Sequence, residues 1–345
     1  MIRLALPACN DSQKLWSITL KKHTVKSLFT RLAKGGLKKG FLKGAILPEW
    51  WDKSCEDDES LLPDLEIRVA RFLKLPVETV RNPTCDLAVP PYVGARLRRL
   101  GETHQEKLRP AVHTAIQIAR AVVRNLKPQV GAVRLPSANA LQLYQQLANG
   151  KAVQLEALVE AVWGFGIPIV PFEGLPTPGF QGMACLAEKR PVILLGYKHD
   201  EPGRTAHVIA HELGHLALGD CNEENPVIDQ DFDEGDSDQV EQKAEAYANQ
   251  LLVGDQDVPK LRSNNFKVLA KEAWDLEQKK GVSASRILFE WAKTSSDYKT
   301  ATLALKALNQ ASGAKRIVLN QFNQMLDLKD LSETDQLLLK CIAKN

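Results

Sequence analysis

The sequence predicts an α+β fold that is mostly helical, with a small three-stranded sheet packed on one buried helix. Three observations carry this expectation. Apolar positions recur at helical spacing along most of the 345 residues. Between residues 167 and 197 the pattern changes to short apolar runs rich in β-branched residues and bounded by Gly and Pro. Directly afterwards, residues 205–219 (TAHVIAHELGHLALG) return to the helical period, with Val208, Ile209, Leu213, Leu216 and Leu218 as their apolar share.

Taken in order, residues 12–45 are basic and helically patterned, with Gly35-Gly36 as a break. From Met1 to Ala45 there are ten Lys and Arg against one acid, Asp11. This stretch is a candidate DNA-contacting surface, and the alternative is a solvated basic hairpin. An acidic stretch runs to Glu59, and Trp50 and Trp51 before it suit core or hinge packing. A helix over 63–75 followed by ARFLKLPVETV resembles the end of a helix–turn–helix unit. Residues 90–99 form a linker-like boundary, and a long helix follows over 103–126, expected to kink or break near Pro110.

Further helices are expected at 137–147 and 155–163, and strands at 167–172, 182–187 and 191–197. Asp200-Glu-Pro-Gly gives a start signal for the next helix, with Asp200 as its cap. From Gly219 to Gln239 there are nine acids and no base, a solvated connection or a docking surface for a basic partner such as the first 45 residues. Helices follow at 237–253, 266–280, 283–294, 297–310 and 316–326. The expected domains are 1–92, 93–149, 150–255 and 256–345.

Hydrophobic content of 44% suffices for real cores, and the net charge is only +3. No signal peptide and no apolar run of membrane-spanning length is evident, so no membrane contact is expected. The six cysteines are scattered without a C-x-x-C pair, which fits reduced thiols and a cytoplasmic location.

The chemistry concentrates in His211-Glu-Leu-Gly-His215. Residues i and i+4 share a helix face, so the two imidazoles can hold one ion, with Glu212 beside it as a base for water. A zinc site of this kind needs a third protein ligand. No histidine lies beyond His215, so the ligand is an acid or Cys221. Glu241 is the best candidate: it shares a face with Ala244, Glu245, Ala248 and Leu252, and the small alanines permit close helix approach. Glu245 is placed to accept a hydrogen bond from the far nitrogen of a ligand histidine. Acids of the loop and Cys221 stay open as alternatives. Tyr197, His199 and His207 can donate to a transition state or contact substrate, and His207 can equally pack. Residues 191–197 offer an edge to which an extended peptide could add.

H-E-L-G-H followed by E-x-x-A-x-x-Y-A-x-x-L-L resembles the ImmA/IrrE family of bacterial metallo-endopeptidases. Trp163, Gly166 to Val170, Gly182 and Arg190 to Leu194 agree with its preceding pattern, and the resemblance covers residues 150–255. His207 departs from it, standing where an aromatic or large apolar residue is usual, as does Glu245, where Asn or Asp is common. The resemblance implies a zincin-like peptidase domain holding one Zn2+ on His211, His215 and Glu241, with Glu212 as general base. It also implies cleavage of a partner transcriptional repressor in a stress or mobile-element response, with a DNA-binding portion fused at the N-terminus. Two other readings are a regulator using the fold as a binding module, and a toxin–antitoxin or phage-associated component.

Overall fold

The computed structural model describes residues 22–89, 96–97, 102–148, 152–173, 180–196, 199–221, 227–229, 239–340 and 342. The described chain opens on α1 (Val25–Lys34), α2 (Lys39–Ala45), α3 (Leu62–Leu73) and α4 (Val77–Arg81). A capping box starts α1: the Ser27 N–H donates to Thr24 Oγ1 at 3.1 Å and the Thr24 N–H to Ser27 Oγ at 2.8 Å. Lys74, at φ 57°, turns α3 into α4, so a helix–turn–helix outline exists, but α4 spans only five residues. Lys26 pairs with Asp57 and Lys39 with Glu56, so part of the basic charge of residues 12–45 meets the neighbouring acidic stretch. Residues 12–21 lie outside the described residues, as does most of the acidic loop. Trp51 is buried, whereas Trp50 is exposed.

A two-residue strand, β1 (Arg96–Leu97), precedes α5 (Glu102–Arg124). The expected break in this helix is corrected: α5 is continuous through Pro110. Pro110 lacks the N–H of a regular turn, and its ring needs space outside the helix. Gly36 supplies that space, since a Cβ there would lie 2.6 Å from Pro110 Cγ. Leu108, Val112, Ala115, Ile118 and Val122 of α5 are all buried, so the helix is enclosed on most sides as a core helix is.

Next come α6 (Ala140–Leu147) and α7 (Leu155–Gly164), then β2 (Ile169–Phe172), β3 (Gly182–Ala187) and β4 (Arg190–Gly196). Strands β3 and β4 form a hairpin around Glu188 and Lys189, both at positive φ (51° and 67°), as a type I′ turn requires. Helix α8 (Pro202–Leu218) follows β4, then β5 (Val227–Asp229) and α9 (Gln239–Val253). The remaining helices are α10 (Phe266–Lys280), α11 (Ala284–Ser295), α12 (Tyr298–Ala307), α13 (Ala314–Met325) and α14 (Glu333–Leu339).

The fold is α+β as expected, but the three predicted strands form one end of a five-stranded sheet, ordered β1-β5-β3-β4-β2. The two additions are two and three residues long, too short to show a period in the sequence. β4 is antiparallel to β3 on one side and parallel to β2 on the other, so it is not the free edge expected of residues 191–197. The outer edge of β3 is taken by β5, with Gly182 opposite Asp229. Among the described residues, no helix is long and apolar enough to cross a membrane.

His113 joins α5 to the N-terminal helices: it is 2% exposed, its Nε2–H donates to the Phe72 carbonyl, and burial lowers its pKa to about 4. The folded protein therefore keeps this ring neutral while the unfolded chain protonates it below its ordinary 6.5. Its contribution is complete above pH 6.5 and is lost as pH falls towards 4, by about 3 kcal/mol. Buried His207, also lowered to about 4, acts over the same window. Urea unfolding at pH 7 and pH 4.5 should show His113→Asn losing about half as much stability as the wild type on acidification. An equal loss in both proteins would refute the assignment.

Candidate metal centre

The helix that carries H-E-L-G-H is fixed at both ends. Pro202 occupies its first position, and Glu201 makes no side-chain cap. The expected capping role of Asp200 is corrected, because its carboxylate accepts the N–H groups of Gly313 at 2.9 Å and Lys315 at 2.6 Å and so caps α13. The start of α8 is held by α11, where the Gly203 N–H donates to Ser285 Oγ at 2.8 Å. A Cβ at Gly203 would stand 2.5 Å from the Arg286 nitrogen, so only glycine allows this contact. At the other end Gly219 turns left-handed and the Asp220 N–H donates to the His215 carbonyl at 3.0 Å, a Schellman ending.

Residues from Thr205 to Leu216 are all buried, including both histidines and Glu212. α9 packs across α8 at Gly214, where a Cβ would lie 3.2 Å from the Tyr247 side chain and 3.3 Å from Ala244 Cα. Ala244 and Ala248 line this contact on the α9 side and are fully buried. Backbones this close let Glu241, in the first turn of α9, reach the histidines. His211 Nε2 stands 3.1 Å from His215 Nε2 and 3.2 Å from Glu241 Oε2, and His215 Nε2 stands 3.5 Å from Glu241 Oε1. Among the described residues, His211, His215 and Glu241 form the group whose donor atoms could hold one metal ion.

The donor set fits a zinc ion. Tetrahedral ligands at about 2.0–2.1 Å from the metal are spaced about 3.3 Å apart, close to the separations seen. Glu241 Oε2 is buried and makes no directed hydrogen bond, although His211 lies beside it. The electrostatics also favour positive charge here. Burial alone would raise the Glu241 pKa, but contacts with His211 and His215 bring it well below the usual carboxylate range. Burial opposes charge on His215, yet Asp220 and Glu241 together raise its pKa.

A second layer holds the ligands in place. Asp220 Oδ2 lies 3.0 Å from His215 Nδ1, on the side away from the cluster. Sequence reasoning missed this residue by treating it as part of the acidic loop. The available signal was its position just after the helix-ending Gly219. The expected hydrogen bond from a ligand histidine to Glu245 is corrected: Glu245 Oε2 is 3.6 Å from His211 Nδ1, beyond hydrogen-bond distance, and its bond is to His207 Nε2 at 3.1 Å. Its other oxygen accepts from Lys293 Nζ of α11 at 2.7 Å, a contact between segments 48 residues apart that no local pattern signals. Burial of Glu245 is outweighed by His207, His211 and Lys293, so its pKa is lowered.

The remaining candidates sort by burial. His207 is 0% exposed, with its ring 5.3 Å from that of Phe289, so it sits behind the site and does not meet a bound substrate. His199 is exposed, with Nδ1 3.9 Å from Glu201 Oε2. Tyr197 lies outside the described residues. Cys221 turns to the sheet, with Sγ 3.7 Å from the Ala184 carbonyl oxygen. Glu212 lies against the start of β3: a Cβ at Gly182 would overlap Glu212 Oε1 and stand 2.8 Å from Val208 Cγ1.

A histidine-bearing helix on a small mixed sheet, joined by a carboxylate from the next helix, defines a zincin-like peptidase domain. Residues 165–290 match the family model described as the IrrE N-terminal-like domain, peptidase family M78. Over this stretch the chain is similar to the ImmA/IrrE family, as its motifs suggest. The match continues past residue 255 through α10 and into α11. No curated protein matches the chain.

Elemental analysis of the purified protein should find about one zinc per chain, and little in Glu241→Ala. In chelator competition, Asp220→Asn should weaken metal binding by about tenfold to a hundredfold through loss of its hold on His215. Unchanged affinity in Asp220→Asn would leave that contact without a role in metal binding.

Proposed function

We propose that the protein is a zinc-dependent endopeptidase acting on another protein. The observation that supports this best is the convergence of donor atoms from three buried side chains at 3.1–3.5 Å, on the helix that carries the buried carboxylate of Glu212. His211, His215 and Glu241 would hold the ion, and Asp220 and Glu245 would orient the two imidazoles. When bound, zinc polarises a peptide carbonyl and makes water acidic near neutral pH. Glu212 takes the proton from the attacking water and delivers it to the leaving amide nitrogen. Its burial against Gly182 keeps the carboxylate in one position and limits competing solvent.

The substrate we propose is a transcriptional repressor cleaved in a stress or mobile-element response, in the cytoplasm. This part rests on the family resemblance. DNA contact through residues 12–45 is a separate proposal, supported by the exposure of Lys34, Lys38 and Lys43. Lys26 and Lys39 add less to it, since both are paired within the N-terminal unit.

Glu212→Gln keeps the shape of the side chain but cannot accept the proton. Zinc content should match that of the wild type, while cleavage of a protein substrate falls by at least about a hundredfold. An active Glu212→Gln protein with wild-type zinc would show that another group serves as the base.

A further inference from the structure

The metal cluster and the proposed base are closed off in this structure. Glu212 and His215 are 0% exposed, His211 3% and Glu241 8%. A peptide bond is cut here only if its carbonyl reaches the metal and the attacking water reaches Glu212. Some element around the site must therefore yield. α9 and α11 are not suited to this, since Glu241 on α9 is one of the three donors and Lys293 on α11 holds Glu245. β3 is paired with β4 along its whole length, from Gly182 opposite Leu195 to Ala187 opposite Arg190.

β5 is held far less. It meets β3 through three residue pairs, Gly182 with Asp229, Met183 with Ile228 and Ala184 with Val227. On its other side it pairs with Arg96 and Leu97 of β1. The sequence supplies strand formers at Val227 and Ile228, and Pro226 before them has no N–H to extend the ladder. Residues 219–238 join α8 to α9, whose adjoining ends already meet at His215 and Glu241. About two to eight residues normally suffice for such a connection. The extra length carries the chain out to the outer edge of β3 and back. Gly182, at the end of that ladder, is also the residue against which Glu212 packs. The edge that β5 fills is thus the one an extended peptide needs in order to lie beside the base.

We propose that Val227–Asp229 is an inhibitory strand of the chain itself, filling the place of an extended peptide on β3 and leaving it before a substrate can pair there. The proposal rests on the peptidase reading above. A peptide that also pairs with Cys185–Ala187 makes backbone bonds that β5 does not, and so competes for the edge.

The test uses full-length, zinc-loaded protein and a randomised decapeptide library. Cross-strand partners stand close enough for a disulfide, so oxidised Met183→Cys/Ile228→Cys should lock β5 in place, with each single variant as control. Ile228→Pro removes a ladder N–H and should loosen it. Library cleavage is followed by mass spectrometry, and peptide retention is measured on the same proteins carrying Glu212→Gln. We expect Ile228→Pro to raise cleavage and retention about tenfold, as removal of a competing closed state does. The oxidised lock should bring both to background until reductant restores them. A gain cannot come from a protein that fails to fold, and recovery on reduction excludes damage in the locked form. Failure of the pair to cross-link would overturn the proposal. Rates and retention that are equal in loosened, locked and wild-type proteins would overturn it too, while any cleavage seen would still support the peptidase reading. Retention that rises on loosening and falls on locking, with no cleavage by any of the proteins, would sink the peptidase reading and leave the blocking strand standing.

Discussion

The close approach of α8 and α9 at Gly214 is the constraint on which the site depends. Glu241 has a short side chain and starts from a different helix, so it meets the histidines only if the two backbones nearly touch. Gly214 provides that on one side, and Ala244 and Ala248 on the other. A side chain at Gly214 would press on Tyr247 and Ala244 and shift the two helices relative to one another. The middle of H-E-L-G-H is thus a packing requirement of the same order as the histidines themselves.

Close packing alone would leave three imidazoles and the Glu241 carboxylate buried at great cost. The structure offsets this by arranging the charges in opposed layers. Glu241 stands between His211 and His215, Asp220 lies behind His215, and Glu245 lies behind His211 and His207. Lys293 closes the outer side of Glu245. The C-terminal helices are therefore part of the site's support. α11 contributes Lys293 and Phe289 behind the metal cluster, and Ser285 against the start of α8.

The parts legible in the sequence were those with a period or a fixed spacing. H-E-L-G-H needs only i, i+4 geometry, and Glu241 follows from its place on a face with Ala244 and Ala248. The three longer strands showed as apolar runs with punctuation. What stayed hidden depends on contacts between distant segments. Asp200 has the sequence setting of a cap for its own helix, yet 113 residues separate it from the Gly313 N–H it accepts. Likewise β1 and β5 are strands only because they pair with one another and β5 pairs with β3. Pro110 reads as a break until Gly36 is seen to receive its ring.

The sheet also determines how a peptide can approach. β4 has partners on both sides, and β3 carries β5 along Gly182–Ala184, the half of its outer edge nearest Glu212. An extended chain that paired with β3 would have to displace Val227–Asp229. β3 itself lies directly on α8: Gly182 abuts Val208 and Glu212, and β3 comes this close only because that position carries no side chain. The start of α8 is held as firmly, since Arg204 donates to Gln181 ahead of β3 and stacks on Phe289 and Tyr298 of α11 and α12.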